Sequence, residues 1–326
     1  MVPSPQLPSL EIPHELTVCV VVREGSHLSR LLEALDEQNA PKASYDVVLV
    51  DATRSGAAAA ASVPGGLSVS VVTADPSTSR SALLNLAWQS ASGPGVAMLG
   101  EELVPAFLWV DALQRALRRG RRLVSGNLLP HPDQVGGTGV LSVSLWATGR
   151  EVPIVSAEQM ACLRAELDRI GGWDETDEDA DVADTRVGAR LVDAGVDMFQ
   201  ARHAVAFHDV EPTGLTAELR RRRRRMAAIA EVLDEHPRAR ARMLVAGTFW
   251  RPRHAEVLMG AVGAGLAARD RRWGWLAAPW VHERTCLAPR AGGPRRRWLV
   301  LPGVLLVDVH DAVATTALRL RPRRPR

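Results

Sequence analysis

Residues 158–209 read EQMACLRAELDRIGGWDETDEDADVADTRVGARLVDAGVDMFQARHAVAFHD, and this stretch decides the fold. Leu163, Leu167 and Ile170 recur at helical spacing, and Gly171-Gly172 supply the left-handed stop that ends a helix without a Cβ clash. Trp173 then needs a pocket. The run from Asp174 to Asp184 holds too many like charges to pack, so it is expected as a solvated loop. Val187, Leu191 and Ala194 restore a helical apolar stripe that stops at Gly195. Asp184 falls at or beside the first turn of that second helix. Exposed N–H groups and the helix dipole stabilise a carboxylate there, so on local grounds it is a helix cap. Residues 204–207, AVAF, read as a strand running into His208-Asp209, and the whole stretch reads as the rim of a cleft.

Working back toward the N-terminus, Leu16 to Val22 is a continuous β-branched run, followed by a helical stripe of Leu28, Leu31, Leu32 and Leu35. A second run, Tyr45 to Val50, ends at Asp51. Leu67 to Thr73 alternates as a strand, Ser79 to Ser90 carries Leu83, Leu86 and Ala87 on one helical face, and Val96 to Leu99 precedes Glu101-Glu102. Strands alternating with helices predict a mostly parallel sheet covered on both faces. Ligands of such sheets bind beyond the carboxyl ends of the strands, where Asp51, Glu101 and Glu102 fall. Two more strands are expected at Gly120–Leu128 and Val140–Val143. The glycine-rich turn at Gly136–Gly139 between them lacks phosphate-loop spacing and reads as a hairpin or loose loop.

The order "apolar strand, Arg, short helix, IGGWDE, acidic loop, DTRVGARLVDAG, strand, His" resembles the second half of family 2 glycosyltransferases, the nucleotide-sugar enzymes of the GT-A fold. In that family the stretch reads like GGFDE, then EDxDLxxRLxxAG, then a strand ending in VxH. The overlay puts Ala183 to Val187 on the EDxDL positions, with Asp184 on the general base and His208 on a frequent metal ligand. Ala183 and Arg186 stand where the pattern has acids.

The resemblance extends back to about Leu16. YDVVLVDATRSG is similar to FEVIVVDDGS, keeping Asp51 on the nucleotide and placing Ala52 at the second acid. SALLNLAWQSASG keeps Asn85, while Leu84 replaces a donor-facing arginine for which Arg80, one turn earlier, is the nearest substitute. The acidic metal motif becomes Gly100-Glu101-Glu102. What this implies is an α/β GT-A domain with Asp184 as catalytic base and Asp51, Asn85, Arg80, Glu101 and Arg186 around the donor. Glu102 and His208 would be ligands of a divalent metal, Mn or Mg, completed by diphosphate oxygens and water.

The chain has 326 residues, a net charge of +3 and 46% apolar residues, enough for two domains with a buried core. Every basic residue except Lys42 is arginine. Cys19, Cys162 and Cys286 lie far apart without metal-site spacing, which fits a reducing compartment. Residues 1–14 hold four prolines and neither a basic nor an apolar block, so a disordered tail is expected and not a signal peptide.

After His208, six consecutive arginines at 220–225 leave three readings open: a solvated helix start, a patch for acidic lipid or the donor diphosphate, or nucleic acid. No base-recognition module or aromatic platform accompanies the run, so nucleic acid is not expected. From Phe249 the composition shifts to short apolar runs, arginine clusters and five of the nine tryptophans. That pattern suits either an interfacial membrane contact, which implies an anionic membrane surface, or a small soluble helical domain. The expected organisation is a tail over 1–14, a GT-A-like domain over 15–236 and a helical extension over 237–326. Two functions stand. One is an inverting glycosyltransferase, cytoplasmic and peripheral at the inner face of the cell membrane, joining a nucleotide-sugar donor to a lipid-linked or glycan acceptor. The other is a catalytically inactive scaffold or regulator of a glycan pathway.

Overall fold

The computed structural model describes residues 14–63, 65–132, 156–209, 215–246, 248–249, 252–287 and 296–320. The glycine-rich turn, the strand expected at Val140–Val143 and the tail up to residue 13 lie outside the described residues.

Eight strands form one mixed sheet. Its first half is parallel: β1 (Leu16–Val22) pairs with β2 (Tyr45–Asp51) and β4 (Gly95–Gly100), and β2 with β3 (Val69–Thr73). β7 (Gln159–Leu163) enters antiparallel between β4 and β6 (Leu123–Pro130). β8 (Met198–His208) lies parallel to β6, and the two-residue β5 (Val104–Pro105) closes the edge antiparallel to β8. Leu163 therefore ends a strand instead of opening the helix that its spacing suggested. Pairing of its strand on both sides overrides the local period, and α5 begins one residue later, at Arg164–Ile170.

Successive side chains along a strand point to opposite faces, and two cores follow from that alternation. Val18, Val20, Val47 and Leu49 face α1 (Leu28–Asp36) and α4 (Trp109–Arg118), with Leu31, Leu35 and Leu113 between them. Cys19, Val48, Val50 and Met98 face the other way, against Leu83 of α3 (Arg80–Gln89), Leu167 of α5 and Leu191 of α6 (Ala180–Asp193). α2 is a single turn, Ala57–Ala60, after β2. Cys19 and Cys162 are buried and unbridged.

Beyond β8, α7 (Leu215–Glu235) lays Ile229, Val232 and Leu233 on Ala189 and Val192 of α6, and α8 (Pro237–Met243) adds Ala239. α9 (Pro252–Ala267), a 3₁₀ segment (Arg271–Ala277), α10 (Ala278–Leu287) and α11 (Arg296–Leu320) form a further helical layer. The arginine run lies inside α7, where all but the partly buried Arg222 are exposed. Arg222 reaches Asp311 of α11 at 2.7 Å and Arg225 reaches Asp181 of α6 at 3.0 Å, so these two arginines link α7 to its neighbours. Among the described residues no helix is long and apolar enough to cross a membrane.

Candidate active site

A cavity of about 160 Å³ opens beyond the carboxyl ends of β1 and β4, between Arg23, Arg80, Gly100, Glu101, Glu102 and Glu158. This is where a parallel sheet of this kind presents its binding crevice. Arg80 opens α3, whose N-cap Ser79 accepts from the Ala82 N–H at 3.2 Å. Its guanidinium forms a two-pronged pair with Asp184, Nη1 to Oδ1 at 3.0 Å and Nη2 to Oδ2 at 3.2 Å. The Trp173 indole N–H donates to Oδ1 at 3.0 Å and the Ala157 backbone N–H to Oδ2 at 2.9 Å. Asp184 is buried, and all its partners are donors.

Asp184 is not a helix cap. The cap of α6 is Asp179, whose side chain accepts from the N–H groups of Asp181 and Val182, and the helix starts within the run expected as a loop. Asp184 sits a turn further on, turned inward toward the cavity wall. Burial opposes the charge on Arg80, yet the Asp184 carboxylate beside it, with the charges of Glu158 and Asp181, outweighs that and raises its pKa.

The other expected donor-side residues are placed differently. Asp51 accepts from the Thr53 N–H at 2.8 Å, the Thr53 hydroxyl at 2.6 Å and the Ala58 N–H at 2.7 Å, so it holds the turn into α2. Burial alone would raise its pKa; those bonds, with one from the Ala59 backbone, win and hold it below the ordinary aspartate value. Asn85 clamps the turn after α5. Its amide donates to the Trp173 carbonyl at 2.8 Å and to Glu175 at 3.0 Å, while its oxygen accepts from the Trp173 N–H and the Trp88 indole. Gly172 makes that clamp feasible, because its φ is 66° and a Cβ there would lie 2.3 Å from the Asn85 oxygen. Arg186 pairs with Asp177 at 2.9 Å and with Glu235 of α7 at 3.0 Å, away from the cavity.

Glu101 lines the cavity but spends its carboxylate on the loop after β1. It accepts from the N–H groups of Arg23, Glu24 and Gly25 at 3.0–3.3 Å. Glu101→Gln is therefore expected to lower stability by about 1–2 kcal/mol, since an amide cannot accept three N–H groups as a carboxylate does. Chemical denaturation reads the loss, and an unchanged midpoint would refute the role.

Glu102 folds back over Gly100, whose added Cβ would meet its Oε1 at 2.9 Å. The Glu102 carboxylate thus fills the space that a side chain at position 100 would need. Glu158 faces the same space from the entry to β7. The residue as a whole is exposed, but the cavity wall desolvates its carboxyl and, with the charges of Glu102 and Asp184, raises its pKa. The register Val104↔Phe207 places His208 beside the segment that carries Glu102, outside the cavity lining. Burial lowers the His208 pKa, against the pull of the Asp209 carbonyl and charge.

A divalent cation needs several oxygen or nitrogen donors at once. Among the described residues no group of three His, Cys, Asp or Glu could hold a metal ion. The cavity instead presents two guanidinium groups, Arg23 and Arg80, beside its carboxylates. This donor set does not fit a protein-built metal site. Arg23 and Glu158 were not singled out in the sequence, although Arg23 directly follows the first strand and was legible as a cation at the binding end of the sheet.

No family model matches the chain, and neither does any curated protein. Among solved structures, the mannosyltransferase PcManGT from Pyrobaculum calidifontis, in complex with GDP-Man and Mn2+, overlays with a TM-score of 0.53 at 18% identity, over 95% of this chain and 88% of that one. TarS 1-349 from S. aureus, in complex with UDP-GlcNAc, gives 0.49 at 12% identity over 95% and 93%. The fold is the α/β glycosyltransferase fold expected from the sequence, a curled mixed sheet with helices on both faces.

Proposed function

We propose that the chain transfers a sugar from a nucleotide-sugar donor to a cell-envelope or lipid-linked acceptor, with inversion at the anomeric carbon. The observation behind this is Arg80, which lines a cavity at the carboxyl ends of β1 and β4 and pairs with the buried Asp184 directly behind that wall. In this reading the acceptor hydroxyl attacks the anomeric carbon and gives its proton to Asp184. The bond from that carbon to the diphosphate oxygen breaks, and the nucleoside diphosphate leaves with the electron pair. Arg80 and Arg23 lie where fixed positive charge would meet the charge developing on that leaving group.

Arg80 occupies both oxygens of Asp184. A diphosphate in the cavity offers Arg80 a second anion, so donor binding would loosen the Arg80–Asp184 pair and leave Asp184 held by the Trp173 and Ala157 N–H groups. Residues 15–236 would carry this chemistry, and 237–326 would attach it, as a cytoplasmic protein, to the inner face of the cell membrane.

A second arrangement, with Mn or Mg on Glu102 and the donor's own phosphates, draws on the two carboxylates, Glu102 and Glu158, that line the cavity. The same experiment reads both. Nucleoside diphosphates and nucleotide sugars are titrated calorimetrically with chelator and then with manganese. Binding that persists in chelator is expected. Binding seen only with manganese moves the charge to a metal, and a chain that binds no nucleotide at all is the inactive scaffold.

A further inference from the structure

We infer that the face formed by α9 and the 3₁₀ segment Arg271–Ala277 is a docking surface for an anionic phospholipid bilayer. The tryptophans of this layer divide in two. Trp280 is buried and its indole N–H donates to Asp308 at 2.9 Å, so it belongs to the core. Trp273 and Trp275 are 49% and 79% exposed.

The segment is seated on α9 by two glycines. A Cβ at Gly263 would lie 2.5 Å from the Trp273 carbonyl oxygen, and one at Gly260 would lie 3.4 Å from Ala277. Met259, next to Gly260 on α9, is exposed as well. Arg271 and Arg272 stand exposed in the same turn. Indole rings partition to the level of lipid headgroups, and guanidinium groups pair with their phosphates, so both halves of the patch suit one occupant. A neutral protein groove would match the apolar half and leave the arginines without counter-charge. With no membrane-crossing helix among the described residues, the contact is a shallow one that lies on the surface.

This inference gives the proposed membrane attachment a defined surface, and it stands or falls independently of sugar transfer. The test uses the full chain without nucleotide, floated with vesicles of phosphatidylcholine alone or mixed with phosphatidylglycerol. Flotation with the anionic vesicles, a blue shift of tryptophan emission and partial release by salt are expected. R271E/R272E should lower partitioning by about tenfold or more, and W273S/W275S should lower it similarly while abolishing most of the blue shift. The substituted positions are exposed, and melting temperatures confirm that the variants fold; if they do not, the two vesicle compositions still decide with wild-type protein. Absence of flotation overturns the inference. So does binding that ignores lipid charge, or a dimer in solution that W273S/W275S dissolves, which would make the face an interface between copies of the chain.

Discussion

Asp184→Asn is expected to lower the rate of sugar transfer by about 10²–10⁴-fold, the usual cost of losing a general base, while nucleotide binding survives. The side-chain shape is kept, but Asn cannot take the acceptor proton. It also cannot satisfy both prongs of Arg80, because one amide atom is a donor that would face the guanidinium. The pair is only partly buried on the arginine side, so the stability loss should be about 1–3 kcal/mol, below the 3–5 kcal/mol of a fully buried pair. Freed of its partner, Arg80 should hold a diphosphate at least as tightly as in wild type. Arg80→Ala reverses the pattern by weakening nucleotide binding along with turnover, and Arg80→Lys restores it poorly because an ammonium lacks the two-pronged fork. Asp179→Asn is the control: at a true helix cap the amide is nearly as good as the acid, so stability and binding should barely move. Unimpaired transfer by Asp184→Asn would remove the base from the proposal, whereas a joint loss of binding and turnover would point to a positioning role.

That contrast marks the limit of local sequence. Val18, Val20, Val47 and Leu49 announced their strands because β-branched runs have few other homes, and the Gly171-Gly172 stop appeared where the spacing placed it. Asp184 could be picked out by its motif, but its partner lies 104 residues earlier, and only the fold brings the two together. Asp51, Asn85 and Glu101 sit in or near the right crevice yet face backbone N–H groups, a difference of side-chain direction that residue type does not encode. Arg186 was legible in hindsight. Two residues along a helix turn the side chain through about 200°, so an inward Asp184 sends Arg186 to the opposite side, where α7 supplies Glu235.

The arginines of the C-terminal layer raise the same question of direction, because some of them are buried. Asp308 of α11 is 1% exposed and meets the Arg284 side chain, the Arg253 Nε at 3.3 Å and the Trp280 indole N–H at 2.9 Å. One turn on, Asp311 is already engaged with Arg222 and His310. Glu256 is a weak substitute, since burial and the neighbouring Glu283 both raise its pKa. Asp308→Asn would therefore leave two buried guanidinium groups around an amide, an expected loss of about 3–5 kcal/mol. Whole domains are stable by only about 5–15 kcal/mol, so α9 to α11 should melt ahead of the sheet and split one thermal transition into two. Calorimetry reads the split, and hydrogen exchange over residues 252–320 locates it. Replacing the charges together, Asp308→Leu with Arg253→Met and Arg284→Met, should recover most of the loss, because an apolar core carries no charges to desolvate. A single unshifted transition for Asp308→Asn would mean that the arginines find solvent or another acid. In that case the layer would be held by Val257, Trp280 and Ala312 and not by its buried charges.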